Sequence, residues 1–191
     1  MNLAPLMFIS HGSPMFAFDT GSSAKQLANQ SKHFDHVQAI VVISAHWLTR
    51  GNYITSSEKS EVIYDFIGFP QTLYELQYPA SGAPMIAIKI MNLLDNNGIK
   101  CKSDSVRGWD HGVWIPLRHL RPNADKPIIQ ISINVDYDTH QLQQFGHVLK
   151  QLRSQNIGII CSGSVTHNLG HIRAGHDVVA DYAQHFQLWV R

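Results

Sequence analysis

Four histidines sit where catalytic chemistry is easiest to assemble. His11 follows the apolar run 6–9 in Ser10-His11-Gly12-Ser13-Pro14, and His46 follows the run 39–43 in Ser44-Ala45-His46-Trp47. His167 comes after the run 157–161, in Ser162-Gly163-Ser164-Val165-Thr166-His167-Asn168-Leu169. His111 lies in Gly108-Trp109-Asp110-His111-Gly112. In an open α/β sheet, ligands collect beyond the carboxyl ends of the strands. Imidazoles delivered there from separate segments therefore point to a shared metal site or an acid–base site. Any one of them, taken singly, reads more simply as a cap for backbone groups. Imidazole binds zinc, iron, copper and nickel, so the ligand type does not choose the metal. The remaining histidines of the 12 are read as surface or supporting residues, among them His171 and His176 in the glycine-containing stretch after His167.

The elements that must position these side chains are legible as apolar runs. Residues 6–9, 39–43, 128–133 and 157–161 read as buried strands with little polar alternation, which suits a parallel sheet covered on both faces. Gln130 and Ser132 interrupt the third run. Residues 52–57 and 99–102 are candidates for short additional strands. Helices are expected over 22–34, 84–97, 139–154 and from near Asp177 to the chain end. Pro84 suits a first helical turn, and Gly98 suits the left-handed position after a helix. Asp138 with Gln141 forms a candidate capping box, and Leu142, Phe145, Leu149 and Leu152 make a helical apolar stripe. Strands alternating with helices argue an α/β class: a mostly parallel central sheet with helices on both faces. Residues 64–79 depart from this pattern as an aromatic excursion. It is either a satellite core or subunit contact, or the wall of a pocket for a flat apolar ligand.

Composition removes several function classes. The 191 residues fit one domain, 1–191, large enough to bury about 70% of its unfolded surface. Hydrophobic residues make up 44% and charged residues 15%, which argues against disorder. Lys plus Arg is 15 and Asp plus Glu is 14, so there is no electrostatic footprint for nucleic acid. Cys101 and Cys161 form no paired motif, as suits a reducing compartment. No apolar run approaches the length of a membrane span, and the amino-terminal residues make a poor signal peptide. A cytoplasmic location is expected. The sequence holds no G-x-S-x-G elbow, no H-E-x-x-H helix and no Walker A loop.

Six segments together carry a resemblance. They are Phe8-Ile9-Ser10-His11-Gly12-Ser13-Pro14-Met15; Val42-Ile43-Ser44-Ala45-His46-Trp47; Tyr64-Asp65-Phe66-Ile67-Gly68-Phe69-Pro70 with Tyr78-Pro79-Ala80; Trp109-Asp110-His111-Gly112-Val113-Trp114-Ile115-Pro116-Leu117; Gln130-Ile131-Ser132-Ile133; and Gly163-Ser164-Val165-Thr166-His167-Asn168-Leu169. In order and spacing the chain resembles the DODA-type class III extradiol ring-cleaving dioxygenases, which include DOPA 4,5-dioxygenases. The resemblance implies an extradiol-dioxygenase-like α/β fold and oxygen-dependent cleavage of a catechol-type substrate at a non-haem metal centre. Fe(II) is the expected active metal and Zn(II) an alternative occupant. His11, His46 and His167 are the implied metal residues, with His167 doubling as acid–base and His111 as a second catalytic histidine. Asp65, Phe69, Asp110 and Trp47 are implied at the substrate. The implied partners are a small aromatic diol and O2, with no nucleic acid and no membrane; a homodimer is compatible.

One departure bears on activity. The family pattern continues past Arg191 with a Pro-x-x-Glu-His-like segment carrying another metal-binding histidine, and no such segment occurs here. The chain thus reads as C-terminally incomplete relative to the family, with Asp177, His171 and His176 as candidates to replace the ligand. Two rival readings stay open: a zinc-dependent hydrolase on the same scaffold, and a truncated, non-catalytic homologue that binds metal or a partner.

Overall fold

The protein is described by a computed structural model over residues 3–168, 170 and 179–190. The apolar runs become strands β1 (Leu6–Ser10), β2 (Ala39–Thr49), β5 (Ile128–Asn134) and β6 (Ile157–Gly163), joined by the short strands β3 (Asn52–Thr55) and β4 (Cys101–Asp104). They form one sheet in the order β1-β6-β2-β5-β3-β4. β1, β6, β2 and β5 are parallel neighbours; β3 meets β5 antiparallel and β4 parallel. The helices are α1 (Ser22–Asn29), α2 (Pro84–Asn96), α3 (His111–Leu120), α4 (Thr139–Leu149) and α5 (Asp181–Val190).

Successive residues of a strand point to opposite faces, and the two faces hold separate cores. Ile40, Val42, Ile128 and Ile160 pack with Leu27 of α1 and Val113 and Leu117 of α3. Val41, Ile129, Ile131, Ile157 and Ile159 pack with Ile90 and Leu94 of α2 and Phe145 and Leu149 of α4. Burying each such side chain contributes about 1.5–3 kcal/mol. This is the α/β sheet covered on both sides that the alternating pattern predicts, except at the edge strand β1, expected as buried, where Leu6 and Phe8 are more than half exposed. Among the described residues, no helix is long and apolar enough to cross a membrane.

Local signals hold in most places. Pro84 opens α2, and Gly98 follows it at φ +75°. Asp138 and Gln141 complete the capping box of α4. Other expectations are corrected. The helix expected over 22–34 ends at Asn29 and resumes as a 3-10 turn, Ser31–Phe34, which seats the fully buried Phe34 against Gly158. The helix expected over 139–154 changes to 3-10 geometry at Lys150 and stops at left-handed Asn156. Within its stripe Leu142 is 42% exposed, while Val148 takes a buried place. Cys161, read as buried, is only partly so. The start expected near Asp177 lies outside the described residues, as do His171, His176 and Arg191.

Two differences bear on the site. β2 does not stop at Ile43 but runs through His46 to Thr49. Its pairing with β5 is bulged: the residues between Ile43 and Leu48 stand opposite the single Ser132. Bulges re-aim side chains locally, and this one carries His46. Helix α3 was not expected at all. It contains Gly112 and Pro116 and is buried over most of its length, so it shows neither strong helix formers nor a polar face.

Candidate metal centre

His11 leaves the end of β1 and His46 the bulge of β2. The two rings converge, with Nε2 of one 3.0 Å from Nε2 of the other. His111, the first residue of α3, completes the group: its ring centroid lies 3.9 Å from that of His46 and 5.2 Å from that of His11. One ligand nitrogen from each of the three lies within 4.8 Å of the others. The three histidines come from separate segments and meet above the carboxyl ends of the strands, as ligand sites in open sheets do.

Each ring has a partner on its far side. His11 Nδ1 lies 2.8 Å from Ser162 Oγ. His111 Nδ1 lies 2.9 Å from Asp65 Oδ1, which also accepts the His111 backbone N–H at 3.0 Å. The other oxygen, Asp65 Oδ2, is 3.6 Å from His46 Nδ1. One carboxylate thus backs two imidazoles. A short parallel contact brings it there: Trp109 N–H donates to the Glu61 carbonyl and Ile63 N–H to the Trp109 carbonyl. Gly108 permits this approach, because a Cβ there would stand 2.2 Å from Glu61 O. Asp65 and His111 each follow two residues after a bonded partner, Ile63 or Trp109.

The electrostatics suit metal binding. Burial, reinforced by the neighbouring His111 and His46, lowers the His11 pKa from 6.5 to about 4. Burial, then His111, also lowers that of His46. Both rings are therefore neutral near pH 7 and need lose no proton to ligate. Burial alone would raise the Asp65 carboxyl, but the His111 hydrogen bonds outweigh it and hold it below its ordinary value. Two imidazole nitrogens bound to one metal at about 2.0–2.1 Å lie about 3.0–3.4 Å apart, and His11 and His46 already satisfy this spacing. The donor set fits a divalent transition metal.

Beneath the histidines is a buried polar clamp. Asp110, fully buried, accepts hydrogen bonds from Ser44 Oγ at 2.7 Å, from Arg107 Nη2 at 3.1 Å and from Gln130 Nε2. Ser44 Oγ in turn accepts the His46 backbone N–H at 3.2 Å, pinning the bulge. The Arg107 guanidinium also lies over the Trp47 ring, 4.6 Å from its centroid. Gly112 fits between these parts. A Cβ on it would lie 2.4 Å from Ser44 Oγ, 3.1 Å from His46 and 3.2 Å from His11.

The histidines open into a cavity of about 590 Å³, walled by Phe66, Phe69, Thr166, His167 and Tyr182 among others. That volume suits a small ligand. The expected site residues therefore fall into three positions. His11, His46 and His111 form the cluster. His167 and Phe69 line the cavity; His167 is not within the metal-competent group of the described residues. Asp65 stands behind His46 and His111, whereas Asp110 and Trp47 are packed beneath the site, off the cavity lining. Ser44, Gln130 and Ser162 were not anticipated. Their signal is a polar residue two positions after an aliphatic one on the same strand face.

The sequence matches, over residues 5–190, the family described as the catalytic LigB subunit of aromatic ring-opening dioxygenase. It is 38% identical to a 4,5-DOPA dioxygenase extradiol of Beta vulgaris, covering 99% of this chain and 72% of that protein. It is 37% identical to a 4,5-DOPA dioxygenase extradiol of Escherichia coli K12, covering 88% of this chain and 62% of that protein. A crystal structure of an uncharacterized Escherichia coli K12 protein superposes with a TM-score of 0.82 at 32% identity, covering 98% of this chain and 71% of that one. With its fold and its histidine cluster in agreement, the chain belongs to the LigB family of aromatic ring-opening dioxygenases.

Proposed function

We propose that the protein cleaves a catechol-type, DOPA-like substrate beside its hydroxyls in an O2-dependent reaction, using a non-haem Fe(II) held by His11, His46 and His111. The observation that carries this reading is the convergence of three imidazoles on one point beneath an aromatic-walled cavity. When bound, such a metal supplies the Lewis acidity that lowers a catechol's pKa and the redox capacity that O2 chemistry needs.

The chain's own residues do the rest. Phe66 and Phe69, with ring centroids 5.4 Å apart, offer an apolar wall for an aromatic ring and exclude water beside it. His167, on the cavity lining, accepts a proton from a substrate hydroxyl oxygen and returns it later, a task that imidazole performs near neutrality. Asp65 orients His46 and His111, while Ser44, Asp110 and Arg107 hold the bulge that aims His46. The relatives named 4,5-DOPA dioxygenase extradiol support DOPA as the first substrate to try.

The all-imidazole donor set favours a second reading, because three histidines with an open position are also a zinc hydrolase arrangement. Anaerobic loading with Fe(II), then addition of DOPA and O2, separates the two. The expected result is O2 uptake with a yellow ring-opened semialdehyde, lost in His11→Ala and His46→Ala. Iron-loaded, folded protein that consumes no O2 with any catechol, while its zinc form hydrolyses an ester, would replace the first reading by the second.

A further inference from the structure

We infer that Ser162 is a positioning residue that fixes the ring tautomer of His11, and that Pro116 commits its hydroxyl to that task. The inference rests on reading the cluster as a metal site. It begins with a missing hydrogen-bond donor. In an α-helix each N–H bonds the carbonyl four residues earlier, and proline has no N–H. Pro116 lies inside α3, so the Gly112 carbonyl lacks its regular helical partner. The Ser162 hydroxyl, arriving from β6, takes that place and donates to Gly112 O.

A serine hydroxyl has one proton to give. Once it is given to Gly112, Ser162 Oγ faces His11 Nδ1 at 2.8 Å only as an acceptor. His11 must then carry its proton on Nδ1 and present the Nε2 lone pair. Nε2 is the nitrogen that lies 3.0 Å from His46 Nε2 at the centre of the cluster. The hydrogen bond at one ring nitrogen sets which nitrogen is free for a metal. A proline four residues past Gly112 thereby selects a ligand atom. Space leaves little alternative, because His11 and Ser162 are each 3% exposed.

The test is a long-range proton–nitrogen correlation spectrum of the imidazoles in the metal-free protein above about pH 7, past the range where a free imidazole is protonated. Wild-type His11 is expected wholly as the Nδ1–H form; an Nε2–H signal would overturn the inference without any variant. Ser162→Ala should shift His11 toward Nε2–H and weaken Co(II) or Zn(II) binding roughly 10- to 100-fold, and Ser162→Thr, which keeps a hydroxyl, should recover both. Pro116→Ala, which restores a competing N–H, should give a smaller shift in the same direction. If Ser162→Ala changes neither tautomer nor metal affinity, the relay is refuted. Wild type that binds no divalent metal would refute the metal reading instead, and its spectrum would still judge the relay.

Discussion

The two faces of the sheet use the same strands but treat their carboxyl ends differently. Toward α2 and α4 the strands stay apolar: Val41 and Ile43, Ile129 and Ile131, Ile157 and Ile159. Toward α3 each turns polar within two residues of an aliphatic: Val42 precedes Ser44, Ile128 precedes Gln130, and Ile160 precedes Ser162. All three polar residues are buried. Their hydrogen bonds run to Asp110, to Gly112 and to the clustered histidines His11 and His46. One face holds the sheet together by apolar area; the other adds a polar network that sets where imidazoles point. Stability and site geometry are therefore separable by substitution.

The sharpest break between the faces is expected from Leu94→Ala. Leu94 is fully buried on the apolar face, so the cavity should cost about 2–5 kcal/mol in urea unfolding. Metal affinity of the folded molecules should stay unchanged; a loss of affinity would show that the faces are not independent. Gly112→Ala attacks the other face. Its Cβ has no room beside Ser44, His46 and His11, so about 1–3 kcal/mol of stability should go. Metal affinity should fall with it by roughly tenfold or more, on the scale of supporting-shell changes. Wild-type affinity in this variant would mean that close packing does not place the rings.

A pH series gives the most gradual effect. Folded His11 resists protonation down to about pH 4, whereas in the unfolded chain it takes up a proton near 6.5. Unfolding therefore binds a proton in that window, and the metal-free protein should lose stability as pH falls through it. The slope is at most about 1.4 kcal/mol per pH unit. His46 adds in the same direction. Asp65, held below its ordinary value, adds a further loss at lower pH as it is protonated. Urea midpoints that are flat from pH 6.5 to 4 in the metal-free protein would remove the burial argument for His11.

Much of this architecture was legible in the sequence, for reasons that differ by element. Long aliphatic runs declared β2, β5 and β6, since both faces of each are covered; the run of β1 is equally apolar, although its Leu6 and Phe8 are more than half exposed. His11 and His46 were legible because they follow such runs directly. Helix α3 was hidden because burial on nearly all sides erases amphipathic periodicity, and because Gly112 and Pro116 read as breakers. The continuation of β2 was hidden by its bulge, where Ser44 to Trp47 no longer alternate against β5. The backing of His46 and His111 by Asp65 was illegible because the carboxylate arrives from a segment without helical or strand period. What placed it was a two-bond contact between distant stretches, and no local pattern encodes that.

That contact has a consequence for how the protein tolerates change. The bridge pairs Val62 with Trp109; Asp65 follows three residues after Val62, and His111 follows two after Trp109 as the first residue of α3. An extended chain advances about 3.3 Å per residue and reverses its side-chain direction each time. Adding or deleting one residue between Val62 and Asp65 would carry the carboxylate out of reach of His46 and His111 and turn it to the wrong side. A substitution at Tyr64 would cost its hydrogen bond to the Leu76 carbonyl and its ring contacts but would keep the spacing, so this stretch should accept new letters more readily than a new length.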